Sequence, residues 1–356
     1  MKIPKKVNAF RRTAMRFLTK NIGSSPKFSD KFIQDPKAVK RILICRPNAR
    51  LGNLLLITPL VKEINSIFPD AQIDFFVKGG LMPLILNNYS QTGEVIVLPK
   101  KPFRNLLIYL KVWLKIERKT YDIAINVDKD SSSGRLAVER SKATFKFFGD
   151  DLDENVLRPD DYEHIAKYPV YNFRAFLKSI GLERTENPVS ETDLKLSAQE
   201  LVQGRKILLD KFDNNKKTVA FFTYATGNKC FSEFWWEDFY ELLKAKYERD
   251  YNLLEILPVE NVSQIQFKAA SFYSKDIREI GSVLANVALF IGADSGIMHL
   301  ANASHTSTLG LFSVSNLKKY EPYGFGSIGI DTNAIVNKNQ YILVMDEILL
   351  DREVVI

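Results

Sequence analysis

At 356 residues the chain is too long for one ordinary hydrophobic core and fits two domains of common size. A hydrophobic content of 46% with 12% aromatic residues excludes disorder over most of its length; two cysteines, Cys45 and Cys230, exclude a disulfide framework, and His164, His299 and His305 lack metal-ligand spacing, so no structural metal is expected. The net charge of +8 is uneven: the first fifty residues hold fourteen Lys and Arg against Asp30 and Asp35, a local +12, and everything after them sums to about −4.

Residues 1–40 form a basic extension. Within 1–20, Ile3, Val7, Phe10, Ala14, Phe17 and Leu18 share one helical face and Lys5, Arg12, Arg16 and Lys20 lie elsewhere, the pattern of a helix on an anionic membrane surface; a basic helix packed on its own domain fits the same spacing. No run approaches the roughly 20 apolar residues of a membrane span, and with so few cysteines a reducing cytoplasm suits the chain.

From residue 41 apolar runs alternate with helical stretches. "RILIC", "IDFFV", "EVIVL" and "DIAINV" read as buried strands, separated by helices near 54–68, 103–118 and 133–141, which predicts a doubly wound parallel sheet over 41–187. The 103–118 stretch is basic and aromatic: its leucines suit core packing, while Trp113 and the lysines suit lipid headgroups. Residues 188–200, polar and aperiodic with Pro188, read as a linker. The alternation restarts with "TVAFF", "YNLLEIL", "ALFIG" and "STLGLF", predicting a second α/β domain over 201–356 and a cleft between the two, a favoured place for small-molecule sites. No nucleic-acid-binding module is recognisable, so nucleic acid is not an expected partner.

Two strand-to-helix turns carry the chemistry. "RLGN" follows the first strand, and the crevice beyond strand ends is where such folds hold ligands. In "LFIGADSGIMHLANA" the strand ends at Ile291, and Asp294-Ser295-Gly296 opens a helix whose small residues let a phosphate approach unpaired N–H groups. His299 lies near the first turn, in reach of a phosphate or sugar oxygen. The same residues also fit a plain N-cap at Asp294 or Ser295 with His299 as a packing residue.

"ARLGNLLLITPLVKEINSIFPDAQIDFFVKGG", "VLANVALFIGADSGIMHLANASHTSTLGLF" and "EPYG" together resemble glycosyltransferase family 9, the lipopolysaccharide heptosyltransferases, over roughly residues 41–352. The resemblance implies the GT-B architecture: two facing Rossmann-like domains, acceptor on the first and nucleotide-sugar donor mainly on the second. It implies inverting, metal-independent transfer, with no cofactor, of a sugar such as heptose from a nucleotide-diphosphate sugar to a lipopolysaccharide-type or other lipid-linked saccharide, in the cytoplasm at the inner face of the bacterial inner membrane.

Carried over by position, the donor end falls on Asp294, Ser295, Gly296 and His299, with Thr226 and Lys229 in "TYATGNKCFSEFWW" and Glu260 in "LPVENVSQ" as the acidic contact to the nucleotide ribose. Arg50 and Gly52 match the acceptor-side turn. The family pattern there is "RLGD", whose aspartate is the proposed base, and this chain has Asn53. An amide has no useful proton affinity near neutral pH, so Asn53 orients rather than abstracts. Asp128 and Asp130, just after "DIAINV", are the carboxylates topology places best to serve instead. A non-catalytic nucleotide-sugar or glycan-binding protein is the alternative that Asn53 raises.

Overall fold

A computed structural model describes residues 22–23, 31–100, 105–151, 158–182, 186–335 and 337–354. The membrane-surface helix expected within residues 1–20 lies outside the described residues.

The first half follows β1 (Arg41–Arg46), α1 (Leu51–Leu55), α2 (Thr58–Ile67), β2 (Gln72–Lys78), α3 (Met82–Ile85), β3 (Thr92–Leu98), α4 (Leu106–Arg118), β4 (Thr120–Asn126), α5 (Ser132–Arg140), β5 (Lys142–Phe147) and α6 (Tyr168–Ser179). The second adds α7 (Ala198–Phe212), β6 (Lys217–Phe222), α8 (Glu233–Tyr247), β7 (Tyr251–Ile256), β8 (Ala270–Phe272), α9 (Ile277–Leu284), β9 (Leu289–Ala293), α10 (Gly296–Ala303), β10 (Thr308–Phe312), α11 (Leu317–Tyr320), β11 (Ile328–Asp331) and α12 (Asn339–Val354). Strand order is β3-β2-β1-β4-β5 in one sheet and β11-β10-β9-β6-β7-β8 in the other, with every pairing parallel. Each order reverses once, between β1 and β4 and between β6 and β9, the doubly wound arrangement.

Helices cover both faces of each sheet, so the central strands are continuous apolar runs without polar alternation. Ile42, Leu43, Ile44 and Cys45 in β1 and Leu289, Phe290 and Ile291 in β9 are fully buried. One apolar cluster is continuous from Ile42 and Ile44 through Val189 and Leu194 of the connecting segment to Ala220 and Phe222 of the second sheet. Two smaller clusters fill the outer faces, around Phe221, Trp236 and Phe239 in the second half and around Phe76, Val112 and Ile116 in the first. Each fully buried Phe stabilises the fold by roughly 1.5–3 kcal/mol relative to exposure.

Three expectations need correction. The helix expected over 54–68 is two helices. Pro59, lacking an N–H, cannot bond the Leu55 carbonyl, and the Thr58 hydroxyl donates to that oxygen instead at 2.7 Å. The polar 188–200 segment ends in a helix, because Ser197 and Glu200 form a reciprocal capping box that starts α7. In α4 the expected sides are exchanged: Trp113 packs inward on Phe76, ring centroids 5.5 Å apart, while Leu107, Leu110 and Leu114 are exposed.

The halves are stitched along a seam. Asp193 N–H donates to Thr58 Oγ1 at 3.0 Å and Leu194 N–H to the Ala303 carbonyl at 2.7 Å, so the connecting segment is fixed to both halves. His164 is buried, and its Nε2 lies 2.9 Å from the Glu321 carbonyl in the "EPYG" loop, its ring edge-on to Tyr323. Because Ala166 N–H donates to Nδ1 at 3.3 Å, the imidazole is neutral with its proton on Nε2. Burial pushes its pKa down to about 4.

Candidate functional site

Four turns stand at the carboxyl ends of the four strands that flank the two reversals: after β1, with Arg50, Gly52 and Asn53; after β4, with Asp128 and Asp130; after β6, with Thr226 and Lys229; and after β9, with Asp294, Ser295, Gly296 and His299. In open α/β sheets the crevice at such points is where ligands bind.

The turns after β1 and β9 touch. Helices α1 and α10 pack on one another, and a β-carbon added at Gly52 would lie 2.6 Å from His299 Cδ2. One added at Gly296 would lie 3.2 Å from Leu51 Cβ and 3.6 Å from the Gly52 backbone nitrogen. Two glycines nearly 250 residues apart therefore let the halves meet backbone to side chain. Arg50, at the N-cap of α1, is exposed and its N–H donates to Asn48 Oδ1 at 2.9 Å.

Around α10, Ser295 is the N-cap: its Oγ accepts from Met298 N–H at 3.2 Å. Asp294 is thereby free for another task. Its buried carboxylate accepts from Lys229 Nζ through Oδ2, and Oδ1 lies 3.7 Å from His299 Nε2. Burial alone would raise the pKa of Asp294, but the donors from His299 and Lys229 overcome it and hold the carboxyl well below the usual range. The N–H groups of Gly296 and Ile297 have no partner among the described residues, so the helix start presents two donors and the positive end of its dipole. Lys229 ends a short 3₁₀ turn, Gly227–Lys229, whose Gly227 takes a φ of +67° that suits glycine. Its ammonium is half-exposed and lies 5.7 Å from the Tyr320 ring centroid.

The other predicted residues are less engaged. Thr226 is exposed at the N-cap of the 3₁₀ turn and gives no side-chain cap. Glu260 is exposed beyond β7 without a hydrogen bond among the described residues. Sequence reasoning overlooked Glu255 nearby, fully buried at the end of β7, where Thr223 donates to Oε1 at 2.6 Å and Ser263 to Oε2 at 2.8 Å. Burial raises its pKa against the pull of these two neutral donors. A carboxylate inside the apolar run "YNLLEIL" was the available signal.

On the first half, Asn53 is half-buried and its amide makes no hydrogen bond among the described residues. Asp128 Oδ2 accepts from Arg46 Nη1 at 2.5 Å, and Oδ1 accepts from Asp130 N–H at 3.1 Å. Asp130 itself is exposed. Arg46, at the end of β1, is buried and was not singled out from sequence; its Nε has no hydrogen-bond partner among the described residues. The arginine joins the turns after β1 and β4, so the two faces of the first sheet's crevice are tied by one charged contact. Among the described residues no group of three or more His, Cys, Asp or Glu is arranged to hold a metal ion, and no helix is long and apolar enough to cross a membrane.

The fold has clear relatives. A glycosyltransferase family 9 protein from Veillonella parvula superposes with a TM-score of 0.70 at 16% identity, covering 92% of this chain and 100% of that one. Escherichia coli heptosyltransferase WaaC, solved with ADP, gives 0.63 at 15% identity over 86% of this chain and 99% of its own. The E. coli ADP-heptose lipopolysaccharide heptosyltransferase II gives 0.61 at 13% identity, over 88% and 99%. No curated protein matches the sequence. These likenesses bear out the expected α/β architecture of two parallel sheets, as in GT-B enzymes. The family model described as glycosyltransferase family 9 (heptosyltransferase) matches residues 109–339, about two thirds of the chain. The chain therefore belongs to glycosyltransferase family 9, the heptosyltransferase family, and is a glycosyltransferase.

Proposed function

We propose that the protein moves a sugar, with heptose the first candidate, from a nucleotide-diphosphate donor to a lipopolysaccharide-type or other lipid-linked saccharide, by inverting transfer without a metal, at the inner face of the cytoplasmic membrane. The observation that carries this reading is the contact of Gly52 with His299, which unites the turn assigned to the acceptor with the turn assigned to the donor diphosphate. The solved E. coli relatives with ADP and with ADP-2-deoxy-2-fluoro heptose support an ADP-linked donor as the first to try.

In this reading the diphosphate lies against the open N–H groups of Gly296 and Ile297, and Lys229 supplies the cation that takes up charge as the glycosidic bond breaks. Asp294 holds Lys229 and His299 toward that place. Ser295 fixes the helix start, and Thr226 and Glu260 are assigned to the nucleoside. The acceptor hydroxyl attacks the anomeric carbon from the first half, its oxygen forming the new bond as the diphosphate oxygen leaves with the old electron pair. Asn53 orients that hydroxyl, Arg50 and Gly52 shape its turn, and the proton passes to Asp128, with exposed Asp130 as the lesser candidate.

The test is acceptor-dependent release of nucleoside diphosphate across a panel of ADP-, UDP- and GDP-sugars, with the anomeric configuration of the product read by NMR and the rate measured with and without chelator. Inversion and chelator-insensitive release are expected. Donor binding without release, with every acceptor, would give the chain to the binding-protein reading that Asn53 raises.

A further inference from the structure

We propose that the outer face of α4 is a docking surface for an anionic phospholipid bilayer. The helix is apolar on two opposite sides. Tyr109, Val112, Trp113 and Ile116, at the i, i+3, i+4, i+7 spacing of one face, pack on the first sheet with Phe76 and Ile96. On the opposite side Leu107, Leu110 and Leu114 are 76%, 50% and 46% exposed, and Leu106 and Ile108 widen the apolar strip at the start of the helix.

Cations are interleaved with this strip. Lys111, Lys115, Arg118 and Lys119 line a shallow depression together with Leu114. Lys115 pairs with Glu94, and Lys119 with Asp74 and Glu94 at 2.8 and 2.7 Å, whereas Lys111 and Arg118 form no ion pair among the described residues. Leucines beside unpaired cations complement a surface that is negative outside and apolar beneath, which is the interface of an anionic bilayer.

The path of the chain argues for the same occupant. Arg135 of α5, the helix beside α4, donates to the carbonyls of Ile22 and Gly23, so the chain meets this covering layer directly after residues 1–21. Those residues carry seven Lys and Arg and no acidic residue. Their charge has the same sign as the unpaired cations of α4 and is repelled by them, while both segments are attracted to the same anionic surface. A second copy seated on this strip would likewise bring Lys111 and Arg118 near their own kind.

Topology sets the orientation. Helix α4 begins just beyond the carboxyl end of β3, so Leu106–Leu110 stand at the end of the sheet where the turns with Asn53 and Asp128 lie. Docking there turns the crevice toward the bilayer, where a lipid-linked acceptor would present its sugar; this use of the surface rests on the function proposed above.

The experiment is sedimentation of the full chain with phosphatidylcholine vesicles, with and without phosphatidylglycerol, at low salt and with no donor or acceptor present. Wild type is expected to bind anionic vesicles and leave neutral ones, with binding weakened by added salt. Leu107→Ser/Leu110→Ser/Leu114→Ser is expected to weaken binding about tenfold or more, and Lys111→Gln/Arg118→Gln to lessen the salt dependence, both with unchanged circular-dichroism melts because the altered side chains are exposed. Equal binding by wild type and the leucine variant overturns the proposal. So does a wild type that ignores anionic vesicles, including one that is a dimer dissolved by the leucine variant, which would make the face a contact between copies. Since no substrate is present, loss of binding and failure of sugar transfer are read as separate results.

Discussion

Gly52 sits against the His299 imidazole so closely that any β-carbon at position 52 would come 2.6 Å from Cδ2, well inside van der Waals contact. The glycine of the first half's turn thus sets how near the second half's helix can come.

Gly52→Ala is expected to move the imidazole and with it the donors around Asp294. A misplacement of about 1 Å near a reacting centre can cost on the order of 100-fold in rate, whereas overpacking costs about 1–3 kcal/mol of stability. Kinetics beside a thermal melt should show a folded protein with a lowered kcat. A wild-type rate would mean that the turns separate during catalysis.

Lys229→Ala and His299→Ala are each expected to weaken donor or transition-state binding by about 1.5–3 kcal/mol, roughly 10- to 100-fold, as a lost charge-assisted contact does. Nucleoside diphosphate affinity by calorimetry and kcat/KM together check this. Unchanged values in both variants would remove these residues from the site.

Asn53 and Asp128 can be separated by paired substitutions. With Asp128 as the base, Asp128→Asn lowers the rate by about 10²–10⁴-fold, while Asn53→Ala lowers it only modestly. Asparagine at 128 keeps an oxygen for Arg46, so the fold should persist. A rate raised by Asn53→Asp and unaffected by Asp128→Asn would shift the role back to the turn after β1.

His164 makes stability fall as the pH is lowered. Burial lowers its folded pKa from 6.5 to about 4, so the unfolded chain takes the proton first as acid is added. Stability contributed by the neutral imidazole is full above about pH 6.5 and is lost between there and about pH 4, by up to about 3 kcal/mol. Denaturant melts across that range should show a slope that His164→Gln flattens. An unchanged slope in the variant would exclude His164 as its source.

Much of this was legible from sequence where the signal is local. Buried parallel strands must be apolar throughout, so "RILIC" and "ALFIG" announced β1 and β9, and the glycine turns after them marked the crevice. Other local signals were passed over: Ala143, Phe145 and Phe147 alternate as an edge strand should, and Ser197 with Glu200 spells a capping box. The outward leucines of α4 were not readable, because a helix apolar on both sides does not say which side meets the core. Nor was the approach of Gly52 to His299, or of Arg46 to Asp128. Those distances arise from how two sheets and their connecting segment pack, which no spacing along the chain encodes.

Buried Arg278, at the first turn of α9, donates to the Leu84 carbonyl of the first half at 2.9 Å, to the connecting segment's Leu194 and Lys195 carbonyls at 3.2 Å each, and to Glu200 of α7. A guanidinium so engaged works as a pin through both halves. Sliding one half past the other would have to break these bonds together. Shearing the halves apart would strand a buried charge, which makes this one arginine the guardian of their register.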